Sequence, residues 1–155
     1  NNSVIFGYSN KAHDGFLGNS VIGEWCNLGA DTNTSNLKNN YSEVRLWNYE
    51  SENFARTGLQ FCGLMMGDHS KCSINTMFNT GTVVGVCANI FGSGFPRNFV
   101  PSFSWGGSQG MSTYLTKKAF EVASAVFQRR GLEFSQQDAE ILEQVFKMTN
   151  KHRPV

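Results

Sequence analysis

The dominant pattern of large apolar, polar and small positions along the chain has a period of six residues. Between residues 66 and 95 the first position of each hexad is large and apolar: Met66, Cys72, Phe78, Val84 and Ile90. The fifth position is small: Ser70, Thr76, Thr82, Ala88 and Gly94. Hexads that begin at Ile22 and Leu28 repeat the pattern upstream. An α-helix has a period of about 3.6 and a half-buried strand a period of about 2, so the hexads predict short strands that alternate with turns.

Hexads of this kind predict a mainly β solenoid. Three successive hexads make one triangular coil, in which the large side chain points inwards and the small one fits a narrow corner. The coils then stack through main-chain hydrogen bonds into a parallel β-helix. We expect the left-handed form, for which such hexads are known. This hand departs from the right-handed crossover rule, and the residue pattern alone does not derive it.

Residues 38–62 interrupt the hexads, and we expect an excursion that leaves the solenoid and rejoins it near Gly63. Long loops inside a regular solenoid are often functional. The segment can equally be an arm that packs on a neighbouring subunit, and the sequence leaves both interpretations open.

The last part of the chain has a helical period. A first apolar stripe lies at Leu115, Ala119, Val122 and Val126, and a second at Ile141, Leu142, Val145 and Phe146. Arg129, Arg130 and Gly131 are typical of a helix end, and Ser135 with Asp138 indicates a capping box at the start of the second helix. We expect the two helices to pack on the solenoid and close it; a membrane or partner surface is the alternative.

Composition and charge divide the chain at the same place. Residues 111–155 hold 12 of the 25 charged side chains, and residues 1–110 hold the other 13. We therefore expect a hexapeptide-repeat domain over 1–110 and a helical cap over 111–155. The net charge of +1 argues against nucleic acid as a partner, and the absence of a long apolar run argues against a membrane span.

A more specific signal lies upstream of the long hexad run. Residues 11–18 read KAHDGFLG and residues 22–36 read IGEWCNLGADTNTSN. These segments resemble the C-terminal acetyltransferase domain of the bifunctional enzymes that make UDP-N-acetylglucosamine, which carry K-A-(G)-H-x-x-Y-L-G and then N-I-G-A-G-T-x-T-x-N-Y. Among these enzymes, the chain looks most like the alternative type of Bacteroidetes-like bacteria.

The resemblance implies two catalytic residues, His13 and Asn36. His13 matches a general base that takes a proton from the sugar amine as the amine attacks the thioester of acetyl-CoA, and imidazole suits that task near neutral pH. Asn36 matches an asparagine beside the acetyl group, where an amide can steady a developing oxyanion. Asn27 matches a sugar-binding asparagine. Phe16 stands where the family has a sugar-contacting tyrosine, so one hydroxyl is missing.

The resemblance is less direct for the phosphate and the coenzyme. The family's phosphate-binding basic residues lie partly before this region, and Lys11 and Lys38 are candidate substitutes. Arg45 and Arg56 in the excursion are others. Ser73, Ile74 and Gly92 match positions beside acetyl-CoA, and Gly92 follows Ile74 by three hexads, which is one full coil.

The function implied is transfer of an acetyl group from acetyl-CoA to the amine of an amino sugar phosphate, with glucosamine 1-phosphate as the expected acceptor. The resemblance also implies a homotrimer in the bacterial cytoplasm and a longer protein with an N-terminal nucleotidyltransferase-like domain. One alternative is a non-catalytic module that trimerises the protein or senses a sugar nucleotide. Another is a related acyltransferase with a different acceptor.

The sequence predicts no metal site. The four cysteines form no C-x-x-C pair, and Cys72 occupies an inward hexad position, which favours a reduced core thiol. The alternative is a metal site formed by Asp68, His69 and Cys72. A zinc site is considered because gamma-type carbonic anhydrases share the β-helix and bind zinc through three histidines. This chain has only His13, His69 and His152, and the last lies in the tail.

Overall fold

Short strands followed by two helices make up residues 1–154, the part of the chain that the computed structural model describes. The strands are β1 (Val4–Ile5), β2 (Val21–Ile22), β3 (Asn27–Leu28), β4 (Asn33–Thr34), β5 (Arg45–Asn48), β6 (Asn53–Arg56), β7 (Met65–Met66), β8 (Lys71–Cys72), β9 (Met77–Phe78), β10 (Val83–Val84), β11 (Asn89–Ile90), β12 (Phe99–Val100), β13 (Ser104–Gly107) and β14 (Gly110–Thr113). The helices are α1 (Thr116–Arg129) and α2 (Gln136–Met148), and a 3₁₀ turn follows at Asn150–His152. The chain is mainly β with two C-terminal helices, as predicted.

Most of the strands stack in parallel, with one turn of chain between partners. Met65 of β7 pairs with Val83 of β10, and Lys71 of β8 pairs with Asn89 of β11, so each step advances by three hexads. One ladder has the order β1-β2-β7-β10-β12, a second the order β3-β8-β11-β13 with β14 added antiparallel, and a third joins β4 to β9. The parallel coils with three faces that the hexads predict are therefore present, and the arrangement is consistent with a β-helix.

The hexad columns form the interior. One buried cluster contains all the large first-column side chains: Ile22, Leu28, Met66, Cys72, Phe78, Val84 and Ile90. Ser70, Thr76, Thr82 and Ala88 from the small column are also buried. The hydroxyls of Thr76 and Thr82 donate to carbonyls three residues earlier, each at 2.7 Å, so these buried polar groups are satisfied.

The corners have a left-handed backbone at the residue before each small position. The φ angle is 61° at Trp25, 64° at His69, 58° at Asn75 and 54° at Cys87. Such angles are uncommon outside glycine and are strained for bulky residues. The stacking of the coils, rather than local preference, therefore sets the conformation of the corners.

The regular repeat ends at Ile90, earlier than the hexads predict. Val83 pairs with Phe99, so the next coil is shorter than three hexads. Gly94, predicted to lie at a small inward position, is exposed and has a φ of 84° in a turn. The shortened coil omits the third face, which in the described chain contains only β4 and β9, so the prediction for Gly94 was wrong.

The excursion forms a two-stranded hairpin. β5 and β6 pair antiparallel, and the N–H of Cys62 donates to the carbonyl of Asn36 at 3.0 Å where the chain rejoins the coils. Trp47 stacks on Phe99 with ring centres 4.2 Å apart and meets His152 edge-on. The hairpin therefore packs on its own chain.

The helices pack on the solenoid as expected. Ala119 of α1 and Leu142 of α2 form a second buried cluster with Cys87 and Phe103 of the coils. The capping box between Ser135 and Asp138 is confirmed, and so is the end of α1 at Arg129. Neither helix in residues 1–154 is both long and apolar enough to cross a membrane.

The buried face of α1 differs from the predicted stripe. Its buried residues are Ala119, Ala123 and Phe127, whereas Leu115 and Val122 are exposed. Alanines let the helix approach the flat ladder closely, and Phe127 stacks on Trp25 with ring centres 4.0 Å apart. On α2, Ile141 is exposed while its neighbour Leu142 is buried. The predicted boundary at residue 110 also falls inside β14.

We predict that Gly85→Ala destabilises the protein and that Gly7→Ala does not. A methyl group at Gly85 would collide with the backbone nitrogen of Ser102 in the next coil, whereas a methyl group at Gly7 meets nothing within 4 Å. We expect Gly85→Ala to lower the free energy of unfolding by about 1–3 kcal/mol in urea titrations. Equal unfolding midpoints for the two variants would contradict this account of coil packing.

Candidate functional site

The loop that carries His13 is held by the coil that follows it. The carbonyl of Asp14 accepts from the N–H of Asp31 at 2.9 Å, and the carbonyl of Phe16 accepts from the N–H of Thr34 at 2.9 Å. Gly15 has a φ of 116°, and a side chain there would collide with the carbonyl oxygen of Thr32. The loop is thus fixed by its backbone. His13 itself is exposed, and its imidazole forms no hydrogen bond within residues 1–154.

Lys11 closes this loop. Its ammonium donates to the carbonyl of Asp14 at 2.8 Å and to the carbonyl of His13 at 3.3 Å. The resemblance makes Lys11 a candidate phosphate ligand, and the structure places its ammonium beside the backbone of His13. These two hydrogen bonds hold the loop.

Phe16 and Asn36 are brought together although they lie in successive coils. A Cβ at Gly18 would be 2.7 Å from Cε1 of Phe16 and 2.9 Å from Nδ2 of Asn36, so both side chains cover that glycine. Asn36 donates from Nδ2 to Oδ1 of Asn19 at 2.8 Å. The amide of Asn36 is therefore oriented, and among residues 1–154 its second N–H has no partner.

Asn33 is a residue of this site that the sequence reasoning missed. Its Oδ1 accepts from the N–H of Phe16 at 2.7 Å, and its Nδ2 donates to the carbonyl of Asp31 at 3.1 Å. The side chain thereby ties the His13 loop to β4. The only signal in the sequence is an asparagine at an outward strand position, which looks like any other solvated position.

The predicted coenzyme residues lie along the solenoid edge that carries the His13 loop. Ser73 and Ile74 follow β8, and Gly92 follows β11 at the same corner one coil later. The Thr32 hydroxyl donates to the carbonyl of Ser73 at 3.4 Å. Because Thr32 also lies against Gly15, the loop, Thr32 and Ser73 form one continuous edge across three coils.

Asn27 and Lys38 lie in two other places. Asn27 occupies an outward position of the second ladder, between Asn10 and Lys71 of the neighbouring coils, and lines a groove of about 430 Å³. Lys38 lines a separate depression of about 270 Å³ with Asn79 and other residues of the third face. The groove at Asn27 adjoins the segment that leads to His13, and the depression at Lys38 shares no lining residue with it.

The cysteines are buried and free. Burial raises the pKa of Cys26 to about 11 and that of Cys87 to about 12, so these thiols are protonated at neutral pH and are poor nucleophiles or metal ligands. In the described part of the chain, no group of three or more His, Cys, Asp or Glu side chains is placed to hold a metal ion.

A stack of aromatic rings borders the groove at Asn27. Tyr8 stacks on Trp25 with ring centres 4.1 Å apart, and Trp25 stacks on Phe127 of α1. The His69 ring lies beside both, 5.9 Å from the centre of Phe127 and 6.3 Å from that of Trp25. Burial lowers the pKa of His69 to about 4, with a smaller contribution from the charge of Lys71. The negative charges of Asp68 and Asp138 raise the pKa of His69 and so oppose this shift. His69 is therefore a neutral part of the packing at pH 7.

Comparison with known proteins identifies relatives of one kind. The bifunctional protein GlmU of Methanocaldococcus jannaschii is 34% identical over 83 residues, which cover 54% of this chain and 20% of that protein. The bifunctional sugar-1-phosphate nucleotidylyltransferase/acetyltransferase of Sulfurisphaera tokodaii is 33% identical over 89 residues, 57% of this chain and 22% of that protein. The chain is similar to GlmU-type bifunctional transferases over about half of its length.

These similarities confirm the resemblance to the bifunctional nucleotidyltransferase/acetyltransferase family. The GlmU of Methanococcus aeolicus is 31% identical over 83 residues. The matched segment spans about a fifth of the length of each of these three relatives. No family model matches the chain.

We predict that His69 makes the protein less stable in mild acid. The unfolded chain takes up the proton near pH 6.5, whereas the buried ring resists it until about pH 4. Stability is therefore lost as the pH falls from about 6.5 to about 4 and is unaffected by this group above that range. Urea midpoints measured across this range should fall more steeply for the wild type than for His69→Asn, which keeps a residue suited to the left-handed corner. Parallel curves would contradict the prediction.

Proposed function

We propose that the chain transfers an acetyl group from acetyl-CoA to the amine of an amino sugar phosphate, with glucosamine 1-phosphate as the acceptor. The observation that carries the proposal is the single solenoid edge along which the His13 loop, Thr32 and the Ser73–Ile74 corner follow one another in successive coils. The proposal includes the left-handed sense of the coils and a hexapeptide-repeat domain at 1–110 with a helical cap at 111–155.

In the proposed reaction His13 is the general base. The imidazole takes a proton from the sugar amine as the nitrogen attacks the thioester carbonyl, and the new C–N bond forms. The C–S bond then breaks, and the departing CoA sulfur takes the proton from the imidazolium, so that CoA leaves as the thiol and His13 returns to its neutral form. The free N–H of Asn36 faces the developing oxyanion, and its orientation through Asn19 reduces the entropy cost of that contact. Asn27 and Phe16 contact the sugar, and Ser73, Ile74 and Gly92 contact the coenzyme.

The exposed edge also supports a homotrimer in which a second copy completes each site. His13, Phe16, Ile74 and Gly92 are all exposed in the isolated chain, so this surface leaves both substrates open to solvent on one side. Acetyl transfer is favoured when water is excluded from the site. In analytical ultracentrifugation we expect a mass of three times 17.2 kDa. A mass of one chain would count against a site shared between copies.

We predict that His13→Ala lowers kcat by about 100-fold or more, because general-base catalysis contributes at least that much. N-acetylglucosamine 1-phosphate formed from acetyl-CoA and glucosamine 1-phosphate would be measured by mass spectrometry. Gln137→Ala, an exposed change on α2, is the control and should keep the wild-type rate. Equal rates for wild type and His13→Ala, or no product from the wild type, would contradict the proposal.

A binding module without turnover is the second candidate, and Phe16 is the residue that favours it. Loss of the family's tyrosine hydroxyl removes a sugar contact, which a sensing module tolerates better than an enzyme does. A wild type that binds glucosamine 1-phosphate but forms no product would support this candidate over acetyl transfer.

We predict that Phe16→Tyr lowers the KM for glucosamine 1-phosphate by about 2–10-fold, the effect of one added hydrogen bond. Nearly half of the Phe16 side chain is exposed. The KM for acetyl-CoA should not change and serves as the internal control. An unchanged KM for the sugar would show that Phe16 does not face the acceptor.

A further inference from the structure

A basic groove lies between the second ladder and the end of α1, and the resemblance assigns no role to its cationic residues. Lys71, Arg129 and Arg130 line the groove of about 430 Å³ together with Asn10 and Asn27. No Asp or Glu of residues 1–154 lines it. Three cations and two amides around one concave surface are suited to an anionic ligand with hydroxyl groups.

The groove is built by the docking of α1. Phe127 stacks on Trp25, and this contact places the last turn of the helix over the outward side of β3. Arg129 and Arg130 follow directly, at the helix end whose dipole favours cations. The guanidinium of Arg130 lies 5.4 Å from the centre of the Tyr8 ring, which aligns the side chain along the rim.

The cations of the groove have no acidic partner in the described chain. The ion pairs of that part join Arg56 to Glu43, Lys118 to Glu121 and Lys151 to Glu52. The ammonium of Lys71 donates only to the carbonyls of His69 and Trp25, at 3.0 and 3.4 Å. Burial lowers the pKa of Lys71, which is the sign of a cation held without a counter-charge. A bound anion would offset that cost.

We propose that this groove binds a phosphate ester, namely the phosphate of the acceptor sugar, through Arg129, Arg130 and Lys71. Guanidinium groups bind phosphate through two parallel N–H···O bonds, and Lys71 adds a point charge at the floor. Asn27 and Asn10 on the same wall offer amides to the sugar hydroxyls. The assignment rests on the proposed function. It differs from the expectation drawn from the sequence, which gives Lys11 and Lys38 as the phosphate ligands.

Isothermal titration with separate ligands tests the assignment. Glucosamine 1-phosphate, glucosamine and CoA would each be titrated into wild type, into Arg129→Gln/Arg130→Gln, and into Lys117→Gln/Lys118→Gln. The second pair removes the same charge from exposed positions of the same helix outside the groove. We expect the Kd for glucosamine 1-phosphate to rise at least tenfold in the arginine variant and to stay unchanged in the lysine variant, because only the first loses charge-assisted contacts.

The ligands separate the possible sources of the phosphate. Weaker binding of glucosamine 1-phosphate, with CoA unaffected, supports the proposal. Weaker binding of CoA alone would assign the groove to the coenzyme and overturn it, as would unchanged binding of both ligands. Should the arginine variant fail to fold, competition in the wild type decides: inorganic phosphate must displace glucosamine 1-phosphate.

The inference and the proposed function can fail independently. His13-dependent product formation with an unchanged KM in the arginine variant would reject the groove and keep the transferase. In the converse outcome, binding of glucosamine 1-phosphate depends on the two arginines while no variant forms product. That result would support the groove as the phosphate site and reject acetyl transfer.

Discussion

Main-chain hydrogen bonds between successive coils are the constraint on which the rest of the structure depends. Each coil must return to the same three faces so that its backbone pairs with the coil before it at the spacing of neighbouring strands. Large side chains can then only point inwards, and the corners must turn sharply enough to adopt left-handed backbone at residues as bulky as Trp25. Where the backbones approach closely, as at Gly85, no side chain fits.

The same bonds build the candidate site. The His13 loop has little packing of its own and is held by backbone contacts to Asp31 and Thr34 of the next coil and by the amide of Asn33. The proposed coenzyme corner lies one step further along that edge. The groove has a different origin, because it exists only where α1 stacks Phe127 on Trp25. One part of the proposed site therefore depends on the register of the coils, and the proposed groove depends on the docking of α1.

Much of the fold could be predicted from the sequence because a period of six reports directly which side chains point inwards. The return of the chain to the coils near Gly63 and the capping box at Ser135 could be predicted as well, because both are indicated by the local sequence. The position of Gly94 was wrong because a period does not show where a coil becomes shorter. The buried face of α1 was missed because the predicted stripe and the stripe that is buried lie side by side on the helix and are similarly apolar. Asn33 and the groove depend on contacts between distant segments, which no local pattern contains. The roles of His13, Asn36 and the other matched residues stay predictions.

The central claim is that a single edge and the adjoining groove form one acceptor site. Backbone amide NMR of the ¹⁵N-labelled protein during a glucosamine 1-phosphate titration tests it most directly. We expect shifts confined to residues 10–18, Asn27, 33–36 and 129–131. Shifts that cluster instead around Lys38 and Asn79, or the absence of shifts at saturating ligand, would contradict it.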